Sequence, residues 1–146
     1  MVKIIDITTK SSLETLQLGS AIADKLKPGN VIAFCGDLGA GKTTLIKGIV
    51  NKLSKDKNIY VTSPTFIYLN IYDISPPVYH FDLYRIKNKN HFFAMGFEEY
   101  FLSDGICLIE WSENIKEILP PDTIKIKIKH INETGRSISI SNLAID

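Results

Sequence analysis

The sequence predicts an α/β fold: one mixed sheet, mainly parallel with an antiparallel C-terminal hairpin, flanked by helices. Three observations predict it. Residues 31–35 (VIAFC) form a short apolar run that enters a glycine-rich turn and then a stretch with apolar residues at helical spacing. Residues 78–82 (VYHFD) and 106–110 (ICLIE) are two further apolar runs of strand length, each ending in a carboxylate, as expected of buried parallel strands. Near the C-terminus, Ile124, Ile126 and Ile128, then Ile138 and Ile140, alternate with polar residues around the turn-forming NETG, which is the period of an antiparallel hairpin.

The elements follow in order. Ser11, Ser12, Leu13 and Glu14 form a capping box, and Leu13, Leu16, Ile22 and Leu26 continue at helical spacing until Pro28 and Gly29 end the segment, so a first helix precedes the strand at 31–35. After the glycine turn, Leu45, Ile46, Ile49, Val50 and Leu53 lie on one stripe of a second helix,. An aromatic-rich helix is expected over about residues 91–102, between the two carboxylate-ended strands. No repeat, low-complexity tract or linker divides the 146 residues, so residues 1–146 read as a single domain, long enough to bury a sizeable core.

Composition excludes several classes. Seventeen Lys and Arg against sixteen Asp and Glu give a net charge of +1, which supplies no basic field for independent nucleic-acid binding. Cys35 and Cys107 lie far apart inside apolar runs; with no CxxC pair to hold zinc or act as a redox couple, both read as packing thiols of a reducing compartment. His80, His91 and His130 are too widely spaced to suggest a metal cluster,. The start MVKIIDITTK has no apolar run of leader length, and nowhere do 18 apolar residues run together. The chain therefore reads as cytoplasmic, with no membrane partner.

The glycine turn carries chemistry. Gly36, Asp37, Leu38, Gly39, Ala40, Gly41, Lys42 and Thr43 match GxxxxGK[ST], the Walker A pattern, between a strand and a helix, which makes the predicted fold P-loop NTPase-like. Glycines let the backbone curl so that successive N–H groups converge on a polyphosphate, and the following helix directs its positive dipole end there. Lys42 would reach the β and γ phosphates, and the hydroxyl of Thr43, followed by Thr44, is placed to meet Mg²⁺. Such a site also needs a strand-end carboxylate near the metal. Asp82 and Glu110 compete for that role. Glu110 follows the more uniformly apolar strand and precedes Trp111, the sole tryptophan, and is favoured as the metal ligand; Asp82 is then expected to hold a metal-bound water or orient the attacking one. In VTSPTF, Thr62, Ser63 and Thr65 surround Pro64, a hydroxyl-rich loop where P-loop proteins sense the γ-phosphate.

Taken together, GDLGAGKTT, SPTF, YHFDLYR, MGFEEYF and ICLIEWSE, in that order, resemble the TsaE (YjeE) family, and the resemblance runs from about residue 11 to 136. It implies a P-loop ATPase that uses ATP and Mg²⁺ and acts with the partner proteins TsaB and TsaD to attach threonylcarbamoyl to adenosine 37 of tRNAs reading ANN codons, touching tRNA only through that complex. By the same resemblance Lys42 binds phosphate within the 37–44 loop, Thr43 and Glu110 hold magnesium, and Asp82 supports hydrolysis. Trp111 is expected near the nucleotide, as are Ser12 at the start of the first helix and Gly135 with Arg136 in the hairpin.

Other P-loop chemistries fit less well. Neither NKxD nor DxxG occurs, which disfavours a guanine-specific switch. A small-molecule kinase clamps its phosphates with lid arginines, but Arg85 and Arg136 are the only two arginines. The same shortage predicts slow ATP hydrolysis by the chain alone and acceleration by partners, because an arginine finger can be worth roughly 4–7 kcal/mol. A nucleotide-dependent binding module, with hydrolysis dispensable, is the remaining alternative. Lys125, Lys127 and Lys129 on one strand face read as a solvated surface, and Phe92, Phe93, Phe97, Tyr100 and Phe101 as core and partner-facing surface,.

Overall fold

A computed structural model of the chain describes residues 4–36, 41–55 and 59–143. Among these residues seven strands, β1 (Ile4–Thr9), β2 (Val31–Gly36), β3 (Leu69–Tyr72), β4 (Val78–Asp82), β5 (Ile106–Glu110), β6 (Ile124–His130) and β7 (Arg136–Ser141), form one sheet in the order β1-β7-β6-β2-β5-β4-β3. The centre, β6-β2-β5-β4, is parallel. Both margins are antiparallel, β7 and β1 on one side and β3 on the other. No helix among the described residues is long and apolar enough to cross a membrane.

Strand alternation sends the central side chains to two faces. Ile32 and Phe34 of β2, Ile106 and Leu108 of β5 and Val78 of β4 pack with Ile22, Leu45, Ile46 and Ile49, the buried faces of α1 (Ser12–Ala23) and α2 (Lys42–Ser54). Val31, Phe81, Cys107 and Ile109 point the other way, into a cluster with Phe92 and Phe97. By the same period His80, Asp82 and Glu110 belong to the face that α2 covers. This geometry places both strand-end acids at the sheet edge nearest the start of α2.

The second face departs from the single aromatic helix expected over 91–102. It holds α3 (Lys89–Ala94) and a separate 3-10 segment, Phe97–Leu102. Gly96 lies between them at φ 74°, a left-handed conformation that ends a helix,. The hydrophobic run is continuous there, but the hydrogen-bond ladder is not. The first helix also stops earlier than Pro28, at Ala23, while its cap is as the sequence suggests: Ser11 accepts from the Glu14 N–H and Glu14 Oε1 from the Lys10 N–H.

The strands β1 and β3 are additions to the sequence reading. β1 alternates weakly and pairs with β7 across 133 residues of chain, for example through Ser139 Oγ donating to Asp6 Oδ1 at 2.6 Å. β3 is four residues long and turns into β4 through Ser75 and Pro76, which a cis peptide joins.

Candidate nucleotide site

The junction of β2 and α2 sets the first wall. Gly36 has φ 152° and Gly41 φ 101°, and a Cβ on Gly36 would stand 2.4 Å from the Ile128 carbonyl oxygen, so the chain enters and leaves the turn in conformations that favour glycine,. Asp37, Leu38, Gly39 and Ala40 lie outside the described residues. Lys42 opens α2 and is only 5% exposed. Its ammonium donates to the Gly36 carbonyl at 2.9 Å and stands 4.1 Å from the centroid of the Trp111 ring, a cation–π contact. Trp111 can reach it because its backbone is left-handed, φ 59°, which turns the chain sharply after Glu110,. Tyr84 packs on the indole at 5.0 Å between centroids.

The second wall is acidic. β4 and β5 run parallel with Asp82 opposite Glu110, and β5 lies directly beside β2 with Glu110 opposite Phe34. Both acids are nearly buried, at 2% and 3% exposure. Asp82 has donors on both oxygens: the Tyr84 N–H on Oδ1 at 3.0 Å, and on Oδ2 the hydroxyl of Thr65 at 3.0 Å together with that of Ser63. Among the described residues Glu110 is held through Oε2 alone, by His80 Nε2 at 2.7 Å and Ser63 Oγ at 3.0 Å. Ser63 has one hydroxyl proton, so it can donate to only one of the two carboxylates at a time.

These pieces line one cleft of about 420 Å³, bounded by Gly41, Lys42, Thr43, Thr44, Ser63, Thr65, Asp82, Tyr84, Glu110 and Trp111. The residues expected around a nucleotide but distant in sequence fall on the far side of Gly41. Ser12, Thr15, Thr44, Thr134 and Arg136 surround a small recess there, and a Cβ on Gly41 would stand 3.3 Å from Arg136 Nε. Arg136 reaches back to the carbonyls of Asn132, Glu133 and Gly135, and Gly135 is buried against Asn132. The first helix is anchored beside this recess by Thr15 Oγ1, which lies 2.7 Å from Thr9 Oγ1. Thus Lys42, Thr43, Thr44, Asp82, Glu110 and Trp111 share one cleft, whereas Ser12 and Arg136 meet at a separate recess that shares Gly41 and Thr44 with it.

Two members of the neighbourhood escaped sequence reasoning as site residues. Tyr84 lines the cleft, its signal being no more than its position two residues past Asp82. His80 read as one of three scattered histidines, yet it is wholly buried and bonded to Glu110; alternation in VYHFD, which puts residues 80 and 82 on one strand face, was the available signal. The cysteines are more remote. Burial pushes the Cys107 thiol up to about 12, and burial, with Glu113 adding to it, also raises that of Cys35.

A Walker A strand-to-helix junction on a parallel sheet centre, with two strand-end acids facing it, defines an α/β protein of the P-loop NTPase-like class. Comparison with known proteins narrows this. The family model for "Threonylcarbamoyl adenosine biosynthesis protein TsaE" matches residues 9–138, and the chain belongs to the TsaE family. It is 40% identical to the tRNA threonylcarbamoyladenosine biosynthesis protein TsaE of Rickettsia prowazekii, over 91% of this chain and 92% of that one. It is 39% identical to the TsaE of Bacillus subtilis, over 88% and 79%. The crystal structure of Bacillus subtilis YdiB superposes with a TM-score of 0.80 at 35% identity, covering 99% of this chain and 88% of that one.

Proposed function

We propose that this chain is a cytoplasmic P-loop ATPase that binds ATP with Mg²⁺ and acts with TsaB and TsaD in the threonylcarbamoylation of adenosine 37 in tRNAs reading ANN codons. Membership of the TsaE family supports the pathway. The observation that carries the chemistry is the convergence of Lys42, Thr43, Asp82 and Glu110 on one cleft at the start of α2. The donor set fits the groups proposed: carboxylate and hydroxyl oxygens suit a hard divalent cation, and a nearly buried ammonium suits phosphate. When bound, magnesium would neutralise charge on the phosphate oxygens and orient them.

The chain's own residues divide the remaining work. Lys42 has one of its three N–H groups on the Gly36 carbonyl and turns toward the cleft lined by Thr43 and Thr44. Glu110 is held through Oε2, and no hydrogen bond among the described residues engages Oε1, which leaves that oxygen to serve a cation. Asp82 has donors on both oxygens and is better suited to act through a hydroxyl or water, orienting the nucleophile rather than binding metal directly. The loop 61–67 reaches both acids through Ser63, so its position and theirs are coupled. Partner contact that fixes this loop would accelerate turnover.

The test is ATP turnover and Trp111 fluorescence, each measured with and without magnesium and with and without TsaB and TsaD. Magnesium-dependent binding, slow turnover alone and stimulation by the partners are expected. Absence of nucleotide binding would refute the reading. Phosphate transfer to an added small acceptor without partners would instead mark a kinase, and full tRNA modification by a variant that binds but does not hydrolyse ATP would mark a binding module.

A further inference from the structure

We infer that His80 is a positioning residue for the metal-binding acid: on the face of the sheet that α2 covers, it holds Glu110 Oε2 from the buried side of the cleft so that Oε1 is presented to the cation. The inference deepens the proposed function and rests on it.

His80 lies in β4, opposite Leu108 of β5, and is fully buried. Its Nε2 is 2.7 Å from Glu110 Oε2, closer than Ser63 Oγ at 3.0 Å. Its other nitrogen, Nδ1, is buried and has no hydrogen-bond partner among the described residues. A proton on Nδ1 would be a buried N–H without an acceptor, which is costly. The proton therefore sits on Nε2, and the ring donates to Glu110. Tyr72 of the edge strand stacks on the ring, 6.3 Å between centroids and 20° between planes, which limits ring rotation. A carboxylate on a flexible side chain is thus fixed by a ring N–H that is itself fixed by packing, while Ser63 approaches the same oxygen from the cleft side. Both donors use one oxygen, and the other is left for the cleft. This is the arrangement by which groups behind a metal ligand set its orientation, and losing such a group typically lowers metal affinity about 10–100-fold.

The experiment compares wild type, His80→Phe, which keeps a ring but no donor, and His80→Gln, whose amide can donate at similar reach. Nucleotide affinity is measured in EDTA, then as a function of free Mg²⁺ or Mn²⁺, with thermal unfolding of the nucleotide-free proteins as a check on folding. The half-saturating metal concentration should rise about 10-fold or more in His80→Phe and return toward wild type in His80→Gln, with metal-free nucleotide affinity unchanged in both. An unaltered metal dependence in folded His80→Phe overturns the inference. So does an equal loss in the two variants, or a loss that is the same in EDTA, because either would report packing alone. Should His80→Phe fail to fold, the wild-type protein decides: nitrogen-15 correlation spectra are expected to show the Nε2–H tautomer for His80, and an Nδ1–H tautomer overturns the inference. If wild type binds nucleotide with no metal dependence, the proposed function itself fails, a result distinct from any change at His80.

Discussion

Alanine at Gly19 sets two physical effects against each other. Gly19 and Gly48 face each other where α1 crosses α2: a Cβ on Gly19 would stand 2.4 Å from the Leu45 carbonyl oxygen, and one on Gly48 2.2 Å from that of Leu16. Helix propensity alone makes Gly19→Ala stabilising by about 1 kcal/mol. Packing opposes it. Ordinary van der Waals contact begins near 3.4 Å, so the helices must separate by about 1 Å (3.4 minus 2.4), and the obstacle is backbone that no rotamer change can move. That separation loosens Ile22 against Leu45 and Ile49, all buried in the same cluster. Overpacking of this kind costs about 3 kcal/mol, leaving a net loss of about 2 kcal/mol and a fall in Tm of about 4–8 °C for a chain of this size. Thermal unfolding followed by circular dichroism measures it. Gly19→Ala with Gly48→Ala should lose less than the sum of the single variants, since one displacement relieves both clashes. The same displacement moves Ser12 and Thr15 away from Gly41 and Thr44, so nucleotide affinity should fall with stability. A rise in Tm would refute the reasoning and show that the two helices are not in the contact described.

Other outcomes follow from the cleft and the core. Lys42→Ala removes the buried ammonium, and a charge-assisted bond worth about 3 kcal/mol predicts roughly 100-fold weaker ATP binding by calorimetry; Trp111 emission should also change, because the cation 4.1 Å from its ring is gone. Glu110→Gln should raise the half-saturating magnesium concentration about 10-fold or more, whereas Asp82→Asn should leave binding near wild type and depress turnover; the reverse pattern would exchange their roles. Cys107, whose thiol burial raises to about 12 from the ordinary 9.0, should resist iodoacetamide at pH 8 in the native protein and react once unfolded, as mass spectrometry would show. Because the folded state retains that proton when the unfolded state has lost it, this thiol's contribution to stability is intact below pH 9 and is lost between about 9 and 12,.

What the sequence made legible is what depends on local pattern. The strand, turn and helix at 31–54 and the hairpin of β6 and β7 announce themselves by period and by glycine placement. β1 does not, because its register is set by a partner more than a hundred residues away, and β3 does not, because four residues are too few to show a period. The split after Ala94 was hidden for a different reason: aromatic spacing continues across Met95 and Gly96, and only the backbone conformation of Gly96 reveals the break. In the cleft, residue type named Lys42, Thr43, Asp82 and Glu110 as candidates, but which oxygens of each acid carry a donor is decided by contacts from a neighbouring strand and loops. Those contacts, from His80, Ser63, Thr65 and the Tyr84 backbone, have no sequence period.

The convergence of the two acids rests on the register of β4 against β5. Val78 pairs with Ile106 and Asp82 with Glu110, five aligned positions in parallel strands. That register is set at the opposite end from the cleft: the Ile106 N–H donates to the Pro77 carbonyl at 2.9 Å, and Gly105 fits beneath Tyr79 where a Cβ would stand 2.3 Å from the ring and 2.8 Å from the Pro77 oxygen. A slip of one residue would turn Glu110 away from α2 and toward the cluster of Phe81, Cys107 and Ile109, and would bring Ile109 to the face of Lys42,. Ile106, Cys107, Leu108 and Ile109 are apolar whichever face they take, so the hydrophobic pattern of β5 resists such a slip only through Glu110,. The glycine contact and the Pro77 carbonyl, about 16 Å of strand from the chemistry by the usual rise per residue, therefore do for the acids what the hydrophobic pattern of the strand cannot.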